Sequence, residues 1–247
     1  MSEIRLAIAG VGNCASAFIQ GIYYYKNNDD TSGLIYKDMC GYKPGDIKVV
    51  AAFDVNDEKV GKDLSEAIYA KPNCTIKFYD VPNMGVPVMM GPVLDGVPEH
   101  LQKFMEVSKS KPVDIAKVLN DAGADILINL LPTGSAIAAR TYADAAIKEA
   151  KVAFINGIPE MIASSKEYAK IASDNKVPLI GDDFKSQMGS TIIHRSLIRT
   201  LLNRGIKIDR MYQYNFAGNT DFCNLVKRGE TKEKTKRTAL KAELPYD

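Results

Sequence analysis

Short, almost wholly apolar runs alternate with segments of helical period along most of the chain. Ile4 to Ala9, Val49 to Phe53, Ile126 to Leu131, Val152 to Ile155 and Val177 to Ile180 have the length and pattern of strands buried on both faces. Helical patterns follow them: from Asn13 to about Tyr25, from Asp57 to Tyr69, from Pro112 to Ala122, from Ala136 to Ala150, from Lys166 to Asp174 and from Thr191 to Leu202. Such alternation predicts a parallel sheet with helices on both faces. Two stretches break the rhythm. Lys26 to Asp46 is a polar insertion, and Lys71 to Pro98 holds five of the eleven prolines, which predicts a long ordered loop without regular structure. Beyond Leu202, the β-rich alternation of Ile208 to Asn215 predicts one more strand.

Polar chemistry gathers where the strands end, and the first such place is the most specific. Gly10-Val11-Gly12-Asn13-Cys14-Ala15 is a G-x-G-x-x-A fingerprint between a strand and a helix. Gly10 permits the tight turn, Gly12 lets a pyrophosphate approach the backbone, and Ala15 allows close helix packing. Asp54 ends the next strand, where a carboxylate accepts ribose hydroxyls and repels the extra phosphate of NADP, so NAD is the expected cofactor. The competing role for Asp54 is to cap the helix that follows. The fold class is therefore α/β, a Rossmann-type doubly wound parallel sheet. Asn129, Ser135 and Asn156 end later strands or open the turns after them, where holding a ligand and making a turn compete equally.

Gly181 to His194, reading GDDFKSQMGSTIIH, packs two carboxylates, an ammonium and several hydroxyls between a strand and a helix. Open α/β sheets place ligands at such strand ends. Asp182 and Asp183 acting only as turn and cap residues is the alternative. A second polar cluster, Phe216 to Asp221, follows the expected strand at Ile208 to Asn215. The basic run RGETKEKTKRTALK then reads, taken alone, as a solvated helix face.

Composition narrows the partners. With 247 residues and a formal charge of +2, the chain lacks the electrostatic footprint of a nucleic-acid binder, and no apolar run is long enough for a membrane span. Four scattered cysteines and two histidines disfavour a thiolate or imidazole zinc cage, so a metal would be oxygen-bound. A strand beginning almost at the N-terminus, with no signal pattern, implies a cytoplasmic location.

Several motifs taken together identify a family. IAGVGNCAS, AAFDV around Asp54, LLPTGS, FINGIP, GDDFKSQMGSTIIHR and NFAGNTDFCNL, in this order along the whole chain, resemble the inositol-1-phosphate synthases of bacteria and archaea. The resemblance implies an isomerase that borrows redox chemistry, in the first step of inositol and phospholipid biosynthesis. Family members oxidise C5 of open-chain glucose 6-phosphate with bound NAD and remove a C6 proton. They then close the ring by an aldol step between C6 and C1 and reduce the ketone with the same NADH.

Carried over by motif, Asp54 holds the adenosine ribose, and Gly10, Gly12, Asn13 and Ala15 hold the pyrophosphate. Ala122, Tyr142 and Ser186 lie along the cofactor. Asp183, Lys185, Asn215, Asn219 and Asp221 border the nicotinamide and the sugar, with Ser186 also at the substrate. Lys232 and Lys236, in Thr-Lys-Glu-Lys-Thr-Lys, match the family's lysine pair, Lys232 polarising the C5 oxygen and Lys236 serving phosphate binding or proton transfer. The resemblance implies a homo-oligomer, a tetramer, and leaves a divalent metal or ammonium ion open. It also implies a dinucleotide-binding domain over residues 1–185 and the beginning of an α+β catalytic and oligomerisation domain over 186–247. Family chains continue past this point, so the expectation is a fragment that does not complete the cycle alone. Two other readings stand beside it: a plain NAD-dependent dehydrogenase, which would accumulate NADH, and a non-catalytic NAD-binding protein.

Overall fold

The computed structural model describes residues 3–246. Six strands form one sheet in the order β3-β2-β1-β4-β5-β6: β1 (Ile4–Ala9), β2 (Ile47–Asp54), β3 (Val88–Met90), β4 (Ile126–Asn129), β5 (Ala153–Asn156) and β6 (Leu179–Ile180). Every pairing is parallel. The strand order reverses at β1, which pairs β2 on one side and β4 on the other, opening a crevice outside their carboxyl ends.

Alternation along the strands sorts the core into two layers. Leu6, Ile8, Val49 and Ala52 face α1 (Asn13–Asn27) and the short α2 (Leu64–Ala67), with Ile19, Ile22, Leu64 and Ile68 buried against them. Ala7, Ala9, Phe53 and Leu127 face the other way, onto α3 (Ile115–Asp121), α4 (Ala136–Asp144) with the π-helical turn Ala145–Ala150 that continues it, and α5 (Lys166–Asn175), where Leu119, Ile147 and Tyr168 are buried. Burying each aliphatic side chain of this kind contributes roughly 1.5–3 kcal/mol. Both faces are thus covered, as the largely apolar strands require.

Helix boundaries follow local caps. Asp114 accepts from Lys117 N and starts α3 at Ile115 rather than at Pro112. The helix expected from Asp57 to Tyr69 is reduced to α2, because Gly61 adopts φ +84° and Asp63 caps a new start at Leu64. Within the proline-rich stretch, which the sequence reads as irregular, Val88–Met90 pairs with β2 as a strand at the edge of the sheet, where Pro87 does not break a ladder.

The strand expected at Ile208 to Asn215 is absent. No segment among the described residues pairs with it as a strand, and a lone extended segment cannot satisfy its backbone groups as a sheet does. Its tyrosines stand in solvent instead, Tyr212 73% and Tyr214 78% exposed. Three helices complete the described chain: α6 (Ser190–Asn203), α7 (Thr220–Arg228) and α8 (Glu230–Lys241). Glu243, just past α8, accepts from both Arg195 and Arg199 and fastens the end of α8 to α6.

Candidate active site

A cavity of about 600 Å³ opens at the carboxyl ends of the central strands. Its wall begins with the glycine turn. Gly10 has φ +92°, and its N–H donates to Phe53 O at 2.9 Å. A Cβ on Gly10 would lie 2.8 Å from Leu130 O, so only glycine fits there. Gly12, which lines the cavity, would in contrast place a Cβ in open space. Gly12 also caps α1 without any side-chain acceptor, which leaves amide donors of the first turn free for an anion. Ala15 is fully buried, where a small side chain permits close packing. The residues therefore fit a dinucleotide pyrophosphate.

Asp54 lines the same cavity, but most of its acceptor capacity is already used. Oδ2 accepts from Val11 N at 2.8 Å, and Oδ1 accepts from Val55 N at 2.8 Å and Asn56 N at 2.9 Å. The carboxylate grips the glycine turn and its own loop, and it does not cap a downstream helix. Asn13 likewise turns its side chain to Cys74 N, Thr75 N and the Thr75 hydroxyl, joining the turn to the proline-rich stretch.

The two aspartates after β6 have separate tasks. Asp182 accepts from the N–H groups of Ile162, Ala163 and Ser164 and from Asn156 Nδ2. Asn156 in turn accepts from Asn129 Nδ2 at 2.8 Å, and both asparagines are fully buried. This network staples the ends of β4, β5 and β6, so turn-making prevails over ligand binding for Asn129 and Asn156. Ser135 is also fully buried, away from the cavity lining. Asp182→Ala would leave backbone donors without acceptors and is expected to cost roughly 3 kcal/mol of unfolding free energy, read by denaturant titration. An unchanged midpoint would refute that assignment.

Asp183 faces the opposite way. It is 5% exposed, with φ +66°, and its carboxylate accepts from Lys185 at 2.6 Å, from Lys232 and from the Thr235 hydroxyl at 3.2 Å. Burial alone would raise its pKa. The hydrogen bonds and charges of Lys185 and Lys232 outweigh that and hold the carboxyl below its ordinary range. The basic run is thus only partly a solvated face: α8 turns Lys232 and Thr235 inward and leaves Glu233 and Arg237 to pair with each other outside.

Asn219 caps α7 by accepting from Phe222 N, and this places Asp221 in the cavity wall. Desolvation raises the Asp221 carboxyl, with the Lys232 charge opposing. Lys236 stands in an adjoining side pocket of about 150 Å³ with Ser186, Gly189, Ser190, Thr191 and Lys232. Burial first, and then the like charge of Lys232, lower its ammonium pKa, against the opposing pull of Asp183. The N-terminus of α6, capped by Gly189 without a side-chain acceptor, points donors into this pocket.

The structure thus brings Gly10, Gly12, Asn13, Asp54, Tyr142, Asp183, Lys185, Ser186, Asn219, Asp221 and Lys232 to one cavity, with Lys236 beside it. Tyr142 is a floor residue, buried to 1% against Phe53. Three expected residues lie outside the lining, and the first, Ala15, is packed in the core beneath α1. Ala122 sits at the amino end of the sheet, where its carbonyl accepts from Arg5 at the start of β1, because α3 runs back beneath the strands before β4 begins. Asn215 is exposed outside the lining, on the segment that failed to become a strand.

Other polar residues in or beside the cavity have no role that the sequence assigns. Asn224 is buried and donates to Thr133 O at 2.6 Å while pairing with His100 at 3.1 Å. Asp95 accepts from Ile137 N and Ala138 N at the start of α4, and Arg228 reaches the Asp95 carbonyl. Lys59 is buried under the glycine turn. Each is an ordinary polar residue in its local sequence, and only the partner brought from far along the chain distinguishes it. Among the described residues, no three His, Cys, Asp or Glu side chains cluster as metal ligands. No helix among them is long and apolar enough to cross a membrane.

Comparison with known proteins agrees with this geometry. The family model of myo-inositol-1-phosphate synthase matches residues 189–247. The inositol-3-phosphate synthase of Corynebacterium glutamicum is 47% identical over 249 aligned residues, a match that spans 99% of this chain and 68% of the relative. Among solved structures, that of Ari2 superposes with a TM-score of 0.77 at 35% identity, covering 91% of this chain and 67% of that one. A myo-inositol-1-phosphate synthase-related protein from Thermotoga maritima shares the fold, with a TM-score of 0.75 at 23% identity over 99% of this chain and 71% of that one. A relative of this identity, aligned from the glycine turn through the lysines of α8 and over two thirds of its own length, leaves one conclusion: the chain belongs to the inositol-3-phosphate synthase family.

Proposed function

We propose that the cavity binds NAD and glucose 6-phosphate together and serves the isomerisation of the sugar phosphate to 1L-myo-inositol 1-phosphate. The observation that carries this reading is the convergence of the glycine turn, Asp183 and Lys232 on one cavity, with an anion pocket next to it. Residues 1–185 form the dinucleotide-binding domain in this reading, and 186–247 begin the catalytic one. NAD, when bound, supplies the hydride acceptor and donor for transient oxidation at C5.

The chain's own groups account for the rest. Amides of the first turn of α1 and Gly12 receive the pyrophosphate, and the open acceptor position of Asp54 receives a ribose hydroxyl. The side pocket takes the sugar phosphate, with α6 amides, Ser186, Ser190, Thr191 and Lys236 as donors. Lys232, fixed by Asp183, puts positive charge where oxygen on C5 becomes negative during enolisation. Lys236, its pKa lowered, is suited to take and return a proton at Nζ, and the raised Asp221 carboxyl to hold one. The exposed apolar side chains from Ile206 to Phe216 support a homo-oligomer interface, and four free cysteines suit a cytoplasmic location.

The test uses equilibrium binding to the 247-residue chain. Glucose 6-phosphate should bind the NAD-loaded protein, and Lys232→Met and Lys236→Met should each weaken it by roughly tenfold or more, with smaller effects on NAD. A protein that ignores glucose 6-phosphate but accumulates NADH with another small substrate would instead be an ordinary dehydrogenase.

A further inference from the structure

A buried lysine beneath the glycine turn has no part in the chemistry above. Lys59 is 3% exposed, yet its ammonium is held on three sides. It donates to Val11 O at 2.8 Å and to Asn73 Oδ1 at 2.9 Å, and lies 3.9 Å from Asp54 Oδ2. Asn73 adds a second donor to Val11 O at 3.1 Å and reaches back to Ile68 O. Val11 is the residue between the two glycines of the turn, and its N–H is the group that Asp54 Oδ2 accepts. Both ends of this residue are therefore clamped, the N–H by a carboxylate and the carbonyl by an ammonium and an amide.

Asp54 Oδ1 already accepts two backbone N–H groups, and Oδ2 accepts one. A carboxylate oxygen accepts about two hydrogen bonds, so a single position remains, on Oδ2, the oxygen nearest Lys59. Dinucleotide sites of this fold ordinarily rely on such a carboxylate for the ribose. Here its geometry is set by the lysine-braced turn, and Lys59 itself lines the cavity wall. Burying an ammonium costs stability unless it is paired, and the favourable charge of Asp54 only partly opposes the burial that lowers this one.

We propose that Lys59 is a positioning residue for the adenosine ribose: it braces Val11 from below and balances Asp54, so that one oriented acceptor faces one ribose hydroxyl. The inference rests on the NAD reading of the cavity. Its test measures binding of NAD and of ADP-ribose to the full 247-residue chain by titration calorimetry, with the melting temperature of the free protein as a control of folding. Lys59→Met should weaken NAD and ADP-ribose alike, by roughly tenfold. Lys59→Arg, which restores the charge and donors, should recover part of the loss, and it carries the test if the methionine variant does not fold. In the Asp54→Asn/Lys59→Met double variant the losses should be less than multiplicative, because both act on one turn. Wild-type affinity in Lys59→Met, or an arginine variant as weak as a folded methionine one, would overturn the role of Lys59 while leaving NAD binding intact. A wild-type chain that binds neither ligand would overturn the cofactor reading and this inference together.

Discussion

Asp183→Ala is expected to unseat α8 from the cavity. The carboxylate is the shared acceptor of Lys185, Lys232 and Thr235, and its removal leaves two cations facing one another with no counter-charge. Breaking a fully buried pair by deleting one partner costs roughly 3–5 kcal/mol; Lys185 and Lys232 remain partly hydrated, so a loss of roughly 2 kcal/mol is expected here. Amide exchange at neutral pH should show protection lost over Glu230–Lys241, with the strands unaffected. Binding of glucose 6-phosphate should fall with it, since Lys232 and Lys236 are both presented by this helix.

The same pair sets a pH dependence. Because Asp183 is held below its ordinary carboxylate pKa, its contribution is complete above roughly pH 4 and is lost as the pH falls through the depressed folded value. Wild-type α8 should therefore loosen in acid, whereas Asp183→Asn should already be loosened at neutral pH and change little in that window. Undiminished α8 protection in Asp183→Ala would sink the proposed arrangement of the lysines.

The second large effect lies at the turn. Gly10→Ala places a methyl against Leu130 O at 2.8 Å and Leu131 N at 3.0 Å, both backbone atoms, in a conformation with φ +92°. A backbone neighbour cannot rotate away, so the cost is expected at roughly 2–3 kcal/mol of stability, with NAD affinity lowered roughly a hundredfold. Gly12→Ala makes the contrast. Its methyl meets no protein atom, so the free protein should melt as the wild type does while NAD binds more weakly, because the methyl occupies the path of the pyrophosphate. Equal NAD affinity in Gly12→Ala, or an undisturbed Gly10→Ala, would contradict the assignment of the turn.

Several features were legible because their physics is local. The largely apolar runs of β1, β2 and β4 announce burial on both faces, and two glycines after a strand announce a turn that side chains cannot make. Where a neighbour from far along the chain decides the outcome, local pattern misled. Ile208 to Asn215 has strand alternation but no strand beside it, and Val88–Met90 lies among prolines yet pairs with β2. Asp182 and Asp183 are adjacent and chemically identical. One is consumed by backbone N–H groups at 162–164, and the other receives lysines on both sides.

The order of apolar runs and the spacing of the glycines are properties of the chain itself, and they determined the parallel sheet and the rim at which a ligand would sit. Which charged side chain meets which was left to the tertiary structure. Asp183 with Lys232, and Asp54 and Lys59 each with the backbone of Val11, are contacts in which partners far apart in sequence exchange water for each other. Their strength depends on burial and distance, quantities that exist only once the sheet and its helices have packed.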